Sequence, residues 1–211
     1  MLETLRKHGV VPVIAVDTPE DGLRLCEALL KGGLPVAEIT FRTAAAAKTI
    51  QAASTHFPEL VLGAGTVLTP DQVKQAVDAG AKFAVAPGCN PTIVKAAAEA
   101  KLFFAPGICT PSDVERALEL GCKLLKFFPA EASGGVKMLK ALIGPYGHTG
   151  IQFCPTGGVT TQNLADYLAL PQVAFAGGTW IAPKEAIKTK DWAKIEQTAR
   201  EAVAIVKSLR G

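Results

Sequence analysis

The run Leu102-Phe103-Phe104-Ala105-Pro106-Gly107-Ile108-Cys109-Thr110-Pro111-Ser112-Asp113, followed by helical periodicity to Gly121 and then by Leu124-Leu125-Lys126-Phe127-Phe128-Pro129-Ala130-Glu131, reads as strand, helix and strand. Thr110 is suited to cap the first free N–H groups of a helix, and Pro111 brings the φ that a first helical residue needs. Gly121 suits the helix end. The same cap-then-proline signal stands at Thr18, Thr69 and Asn90, each just after an apolar run. Gln72 is spaced to complete a capping box with Thr69. Working outward, strands are expected over 10–16, 36–41, 61–67, 83–87, 102–108, the Lys126 segment, 151–156 and 173–176. Helices follow each, one beginning near Ala44, one running through Leu142, one opened by Thr160-Thr161, and a last from about Asp191 to Leu209.

Eight strand-plus-helix units imply a parallel sheet. A long doubly wound sheet and a closed (β/α)8 TIM barrel both have this pattern. The barrel is favoured because the repeats are compact and glycine pairs follow the seventh and eighth strands, where barrels often hold phosphate. The first strand also lacks the G-x-G-x-x-G turn of a dinucleotide site. No linker divides the chain, so 1–211 reads as a single (β/α)8-barrel domain with a short N-terminal helix at Met1 to Lys7.

Bulk properties exclude several classes. The 49% hydrophobic content over 211 residues argues for a sizeable core and against disorder. A net charge of +3 is too small to imply nucleic acid and is compatible with a small anionic substrate. The five cysteines (Cys26, Cys89, Cys109, Cys122, Cys154) are odd in number and lack metal-type spacing. They read as free thiols of a cytoplasmic protein. His8, His56 and His148 are scattered, so no metal site is expected. The N-terminus lacks a secretory pattern, and no apolar run has the length of a membrane span.

Lys126 stands in the middle of an apolar strand. Burying an ammonium is costly, and a lysine relieved of its proton is a nucleophile toward carbonyl carbon. The plainer alternative is a lysine at a strand end paired with a carboxylate such as Glu131. Lys82, Lys101 and Lys123 precede strands and read as solvated residues of the opposite mouth. In a barrel, inward residues alternate and catalytic groups gather at the C-terminal strand ends. Lys126 and Phe128 then share a face, as do Glu38, Thr40 and Arg42. A local Glu38–Arg42 ion pair on a polar face is the alternative there. Thr66 ends the third strand and Pro87 the fourth. The seventh ends in Cys154-Pro155-Thr156-Gly157-Gly158-Val159 and the eighth in Gly177-Gly178-Thr179. Paired glycines expose N–H groups and let an oxyanion approach. Cys154 faces the same way as Thr156 and reads as core filler.

These residues assemble into one chemistry. A lysine amine attacks a ketone, the iminium acts as an electron sink, and the C–C bond beta to nitrogen breaks. Glu38 is the one inward acid placed to move the protons. Arg42, with Thr66 beside it, can fork onto a substrate carboxylate. The glycine pairs and Thr179 can hold a phosphate at the other end. Two other readings remain. One is a phosphosugar isomerase or synthase barrel using acid–base chemistry alone. The other is a phosphometabolite-binding barrel without catalysis, which retention of both Lys126 and Glu38 opposes.

Four motifs, Glu38-Ile39-Thr40-Phe41-Arg42-Thr43, Gly63-Ala64-Gly65-Thr66-Val67, Lys126-Phe127-Phe128-Pro129-Ala130-Glu131 and Cys154-Pro155-Thr156-Gly157-Gly158-Val159, resemble in order those of the 2-keto-3-deoxy-6-phosphogluconate (KDPG) aldolases, class I lyases of the Entner–Doudoroff pathway. The resemblance spans essentially the whole chain. It implies that Lys126 is the Schiff-base lysine and Glu38 the general acid–base. Arg42 and Thr66 would bind the pyruvate-end carboxylate. Gly157, Gly158, Gly177, Gly178 and Thr179 would bind phosphate, with Pro87, Phe128 and Thr156 lining the substrate. Thr179 stands where much of the family carries serine. The resemblance further implies no cofactor, a homotrimer, and a phosphorylated 2-keto-3-deoxy sugar acid as substrate. Related enzymes cleave 4-hydroxy-2-oxoglutarate (KHG) or the galactonate epimer, which are the alternatives within the class.

Overall fold

The structure is a computed structural model that describes residues 1–210. Its strands are β1 (Val10–Ile14), β2 (Val36–Thr40), β3 (Val61–Gly65), β4 (Phe83–Val85), β5 (Phe103–Ala105), β6 (Gly107–Ile108), β7 (Leu124–Phe127), β8 (Gln152–Phe153) and β9 (Ala176–Gly178). The fold is α/β, and every strand pairing is parallel. One sheet has six strands in the order β5-β4-β3-β2-β1-β9, and a second has three in the order β6-β7-β8.

The ladders therefore do not run as one ring of eight, and the breaks have a cause. The expected fifth strand is interrupted at Pro106, which has no N–H to give a ladder. Its carbonyl still accepts from Lys126 N–H at 2.8 Å. Pro155 likewise follows a seventh strand reduced to two residues. The eighth strand lies later than expected, at Ala176–Gly178, and Val173 contributes only an isolated bridge to Phe153. A second isolated parallel bridge, Thr156 to Gly177, connects the two sheets on that side.

The cap-then-proline signals each start a helix: Pro19–Lys31, Pro70–Asp78, Pro91–Glu99 and Pro111–Glu119. Thr18, Thr69, Asn90 and Thr110 accept from the backbone N–H of Asp21, Gln72, Thr92 and Asp113. The capping box forms at Thr110 with Asp113 and not at Gln72. The Gln72 side chain instead accepts from Leu68 N–H at 2.7 Å, one residue before the cap. The helix after β2 starts at Ala46, and the one after β7 runs on to Tyr146 with Pro145 inside it. A turn begins at Thr161, after Thr160, and the helix beyond it is Leu164–Leu168. A short helix at Lys184–Lys188 was not expected, and the last is Trp192–Arg210.

Both faces of β1 and β2 are buried, as expected for parallel strands sandwiched between side-chain layers. In the register, Val13 opposes Glu38 and Glu38 opposes Gly63, so these three positions share one face. A Cβ on Gly63 would lie 2.2 Å from the Phe83 ring, so the bare backbone there makes room for that ring. Fully burying a phenylalanine contributes roughly 1.5–3 kcal/mol. Among the described residues no helix is long and apolar enough to cross a membrane.

Candidate active site

A buried ion pair joins the two sheets. Glu38 comes from β2 of the larger sheet and Lys126 from β7 of the smaller. Lys126 Nζ donates to Glu38 Oε1 at 3.2 Å, with the residues 5% and 2% exposed. A pair this deep is costly to desolvate, and removing either member strands the other. The alternative pairing of Lys126 with Glu131 is not formed, because Glu131 accepts instead from the Tyr167 hydroxyl. Lys82, Lys101 and Lys123 are exposed.

Neighbouring atoms hold the pair in place. Phe128, partly buried, presents its ring centroid 5.6 Å from Nζ, within cation–π range. Gly65, at the end of β3, carries no side chain where a Cβ would lie 2.2 Å from Glu38 Oε1. Sequence reasoning missed this role of Gly65, although the Gly63-Ala64-Gly65-Thr66 run held the signal. Cys154 lies in the field of both charged groups. Burial pushes its thiol up to about 12, Lys126 works against that shift and Glu38 adds to it. A fully buried thiol of this kind is core filler.

Arg42 does not pair with Glu38. Its Nε donates to Thr40 Oγ1 at 3.1 Å, and Thr40 Oγ1 donates in turn to Ile14 O at 2.8 Å. This chain of bonds fixes the guanidinium at the edge of a cleft of about 650 Å³, whose lining also includes Asp17, Thr179, Lys184 and Lys188. Arg42 and Thr179, expected at opposite ends of a substrate, thus face one cleft. The reason is topological: β1 pairs with β2 on one side and β9 on the other. Lys126, Glu38, Thr66 and the Gly157-Gly158 turn are not part of that lining.

The remaining candidates sit at strand ends. Thr66 follows β3 with φ 57, a left-handed value that a β-branched residue rarely adopts. Backbone strain of this kind clusters at functional sites. Pro87 is exposed, and its carbonyl packs on Gly107, where a Cβ would lie 2.1 Å away. Gly107 is the register partner of Lys126. Thr156 is buried and lies against Gly177, whose Cβ would fall 2.4 Å from Thr156 Oγ1. Gly157 and Gly158 have φ 99 and 80, which glycine adopts without cost. Gly178 departs from expectation. A Cβ there would lie 1.6 Å from the Trp180 ring, so its missing side chain makes room for tryptophan. Among the described residues no group of three or more His, Cys, Asp or Glu converges as metal ligands would.

A buried amine against a carboxylate, both carried on parallel strands, is an arrangement that suits a carbon–carbon lyase reacting through lysine. Residues 1–198 match the family described as "Aldolase: KDPG and KHG aldolase". The chain belongs to that family. It is 47% identical over 207 residues to the 2-dehydro-3-deoxy-phosphogluconate aldolase of Haemophilus influenzae, covering 98% of this chain and 97% of that one. It is 45% identical over 194 residues to the KHG/KDPG aldolase of Escherichia coli, covering 92% and 90%. Among solved structures it superimposes with TM-score 0.90 and 40% identity on the KDPG aldolase of Legionella pneumophila, covering 96% and 98% of the two chains. That structure holds pyruvate captured at low pH as a covalent carbinolamine intermediate.

Proposed function

We propose that this chain is a class I aldolase cleaving 2-keto-3-deoxy-6-phosphogluconate to pyruvate and glyceraldehyde 3-phosphate through an imine on Lys126. The observation that carries this reading is the buried Lys126–Glu38 contact at 3.2 Å. An amine must lose a proton before its lone pair can attack, and Glu38 Oε1 is the nearest acceptor. Nζ then adds to the C2 ketone, giving a carbinolamine. Glu38 returns the proton to the departing hydroxyl, and loss of water leaves the iminium. Glu38, now a carboxylate, takes the proton of the C4 hydroxyl as the C3–C4 bond breaks. The aldehyde leaves, and the electron pair of the broken bond rests in the enamine. Protonation at C3 and hydrolysis release pyruvate and the free amine.

Arg42 and Thr66 hold the carboxylate of the pyruvate half. Gly157, Gly158, Gly177 and Thr179 hold the phosphate, with Pro87, Phe128 and Thr156 along the chain between. The eight strand positions close as a TIM barrel of one domain over 1–211. The Lys126–Glu38 contact between sheets and the Thr156–Gly177 bridge support closure. The enzyme works in the cytoplasm as a homotrimer, which sedimentation would weigh.

Pyruvate with borohydride, followed by mass mapping, tests the reading. One peptide should gain a stable adduct, at Lys126. A label on Lys82, Lys101 or Lys123, or none, would sink the imine mechanism. The name of the Escherichia coli relative supports a second reading, preference for 4-hydroxy-2-oxoglutarate. The wild type should favour the phosphorylated keto acid over its dephosphorylated counterpart by at least about tenfold in kcat/KM, the worth of one charge-assisted hydrogen bond. Equal rates would favour the second reading.

A further inference from the structure

We infer that Glu131 and Tyr167 are positioning residues that set the Gly157-Gly158 turn for the phosphate of the substrate. The inference rests on the phosphate reading proposed above. Glu131 belongs to the segment that leaves β7, the strand of Lys126. Two backbone bonds tie that segment to the turn after β8: Ala130 N–H donates to Thr156 O at 2.8 Å, and Glu131 N–H donates to Gly157 O at 3.0 Å. The side chain adds a third tie. A Cβ on Gly158 would lie 2.6 Å from Glu131 Cβ and 2.7 Å from Cγ, so the stem of Glu131 is packed on the bare face of Gly158.

The far end of that side chain is held as well. The Tyr167 hydroxyl donates to Glu131 Oε1. A Cβ on Gly135 would lie 2.9 Å from that oxygen and 3.4 Å from the tyrosine hydroxyl, so both polar atoms sit in a niche at a third glycine. The Tyr167 ring is fully buried. Burial, followed by the bond to Glu131, pushes its hydroxyl up from the usual tyrosine value, so it remains a donor at working pH. A carboxylate beside an oxyanion-binding turn would repel its ligand if it swung freely. The bond from Tyr167 restrains it and draws charge off the oxygen. The Lys126 strand and the phosphate turn are thereby one rigid unit, which keeps the reacting carbons in register with the distal anchor.

The test compares the phosphorylated and dephosphorylated keto acids in the wild type, Tyr167→Phe, Glu131→Ala and Glu131→Gln, with thermal melting and borohydride trapping of pyruvate alongside. Tyr167→Phe and Glu131→Ala should lower kcat/KM on the phosphorylated substrate by about tenfold, the worth of one hydrogen bond to a charged group. The dephosphorylated substrate should change less than about twofold, and trapping at Lys126 should persist. Competitive inhibition by inorganic phosphate should weaken in step. Glu131→Gln keeps a carbonyl acceptor for Tyr167 and should retain the wild-type preference. Parallel losses on both substrates, or an unchanged preference in folded Tyr167→Phe, would overturn the positioning role while leaving the phosphate reading intact. A wild type without preference would remove the phosphate reading and this inference with it.

Discussion

Lys126 Nζ lies 3.2 Å from Glu38 Oε1 although the two residues are 88 apart in the chain, and both side chains are nearly closed to solvent. Stability alone does not favour such a pair, since apolar residues of similar volume often do as well. Its presence therefore argues for chemistry. Removing one member leaves a buried group unpaired, and losses of roughly 3–5 kcal/mol are typical.

A double-mutant cycle follows from this. Lys126→Met and Glu38→Gln should each abolish or slow turnover, the second by roughly 10²–10⁴-fold. Methionine fits an apolar site, so Lys126→Met should fold, though with a lower urea midpoint. The double variant should recover part of that stability because neither partner is left charged and alone. Strictly additive losses would show that the pair is not energetically coupled. A wild-type kcat in Glu38→Gln would send the search for the proton carrier elsewhere.

Gly65→Ala addresses the position of the carboxylate directly. The added methyl would fall 2.2 Å from Glu38 Oε1, so the carboxylate must shift. A misplacement near 1 Å can cost up to about 10²-fold in rate. Steady-state kcat should drop by that order, while the chain still folds as judged by circular dichroism. Near-normal kcat would mean that Glu38 reaches its partners from more than one position.

What the sequence made legible, and what it hid, divide along physical lines. The caps at Thr18, Thr69, Asn90 and Thr110 are local, because a side chain, a proline φ and an N–H two or three residues on suffice. The strand bearing Lys126 was legible for the same reason. Closure of the hydrogen-bonded ring was not. Pro106 and Pro155 interrupt ladders at places that depend on the partner strand's register. The glycines were the least legible. Gly65 yields to Glu38, Gly63 to Phe83 and Gly178 to Trp180, and none of these partners is identified by the glycine itself. Arg42 and Thr179 share a cleft because β1 lies between their strands, a matter of sheet order that no local motif encodes.

The contact at Gly178 changes what its replacement should do. Gly178→Val would drive a branched side chain into the Trp180 ring, which a Cβ alone would already approach to 1.6 Å. Overpacking of this kind typically costs about 1–3 kcal/mol. The thermal midpoint should fall and the tryptophan emission should shift. Activity should fall on phosphorylated and dephosphorylated substrates alike. Selective loss on the phosphorylated one, with an unchanged midpoint, would instead mean that Gly178 faces the phosphate.

The last prediction concerns alkaline pH. Burial pushes the thiols of Cys26 and Cys154 up to about 12, and burial with a smaller contribution from Cys89 pushes Cys122 up to about 11, from an ordinary 9.0. The folded chain therefore keeps protons that the unfolded chain releases above pH 9. With the folded value above the unfolded one, the stability in question is fully present below pH 9. It is lost progressively as pH rises toward 11 for Cys122 and 12 for the other two. Each group can contribute a slope of about 1.4 kcal/mol per pH unit within its window. Urea unfolding at pH 8 and pH 10.5 should show a clear loss. Cys154→Ala should be less stable at pH 8, since it removes a buried sulfur. Its decline between the two pH values should be shallower than that of the wild type, because one titrating group is gone. Equal slopes for the two proteins would mean that Cys154 ionises in the folded state as readily as in the unfolded one, and that a thiolate does form beside Lys126.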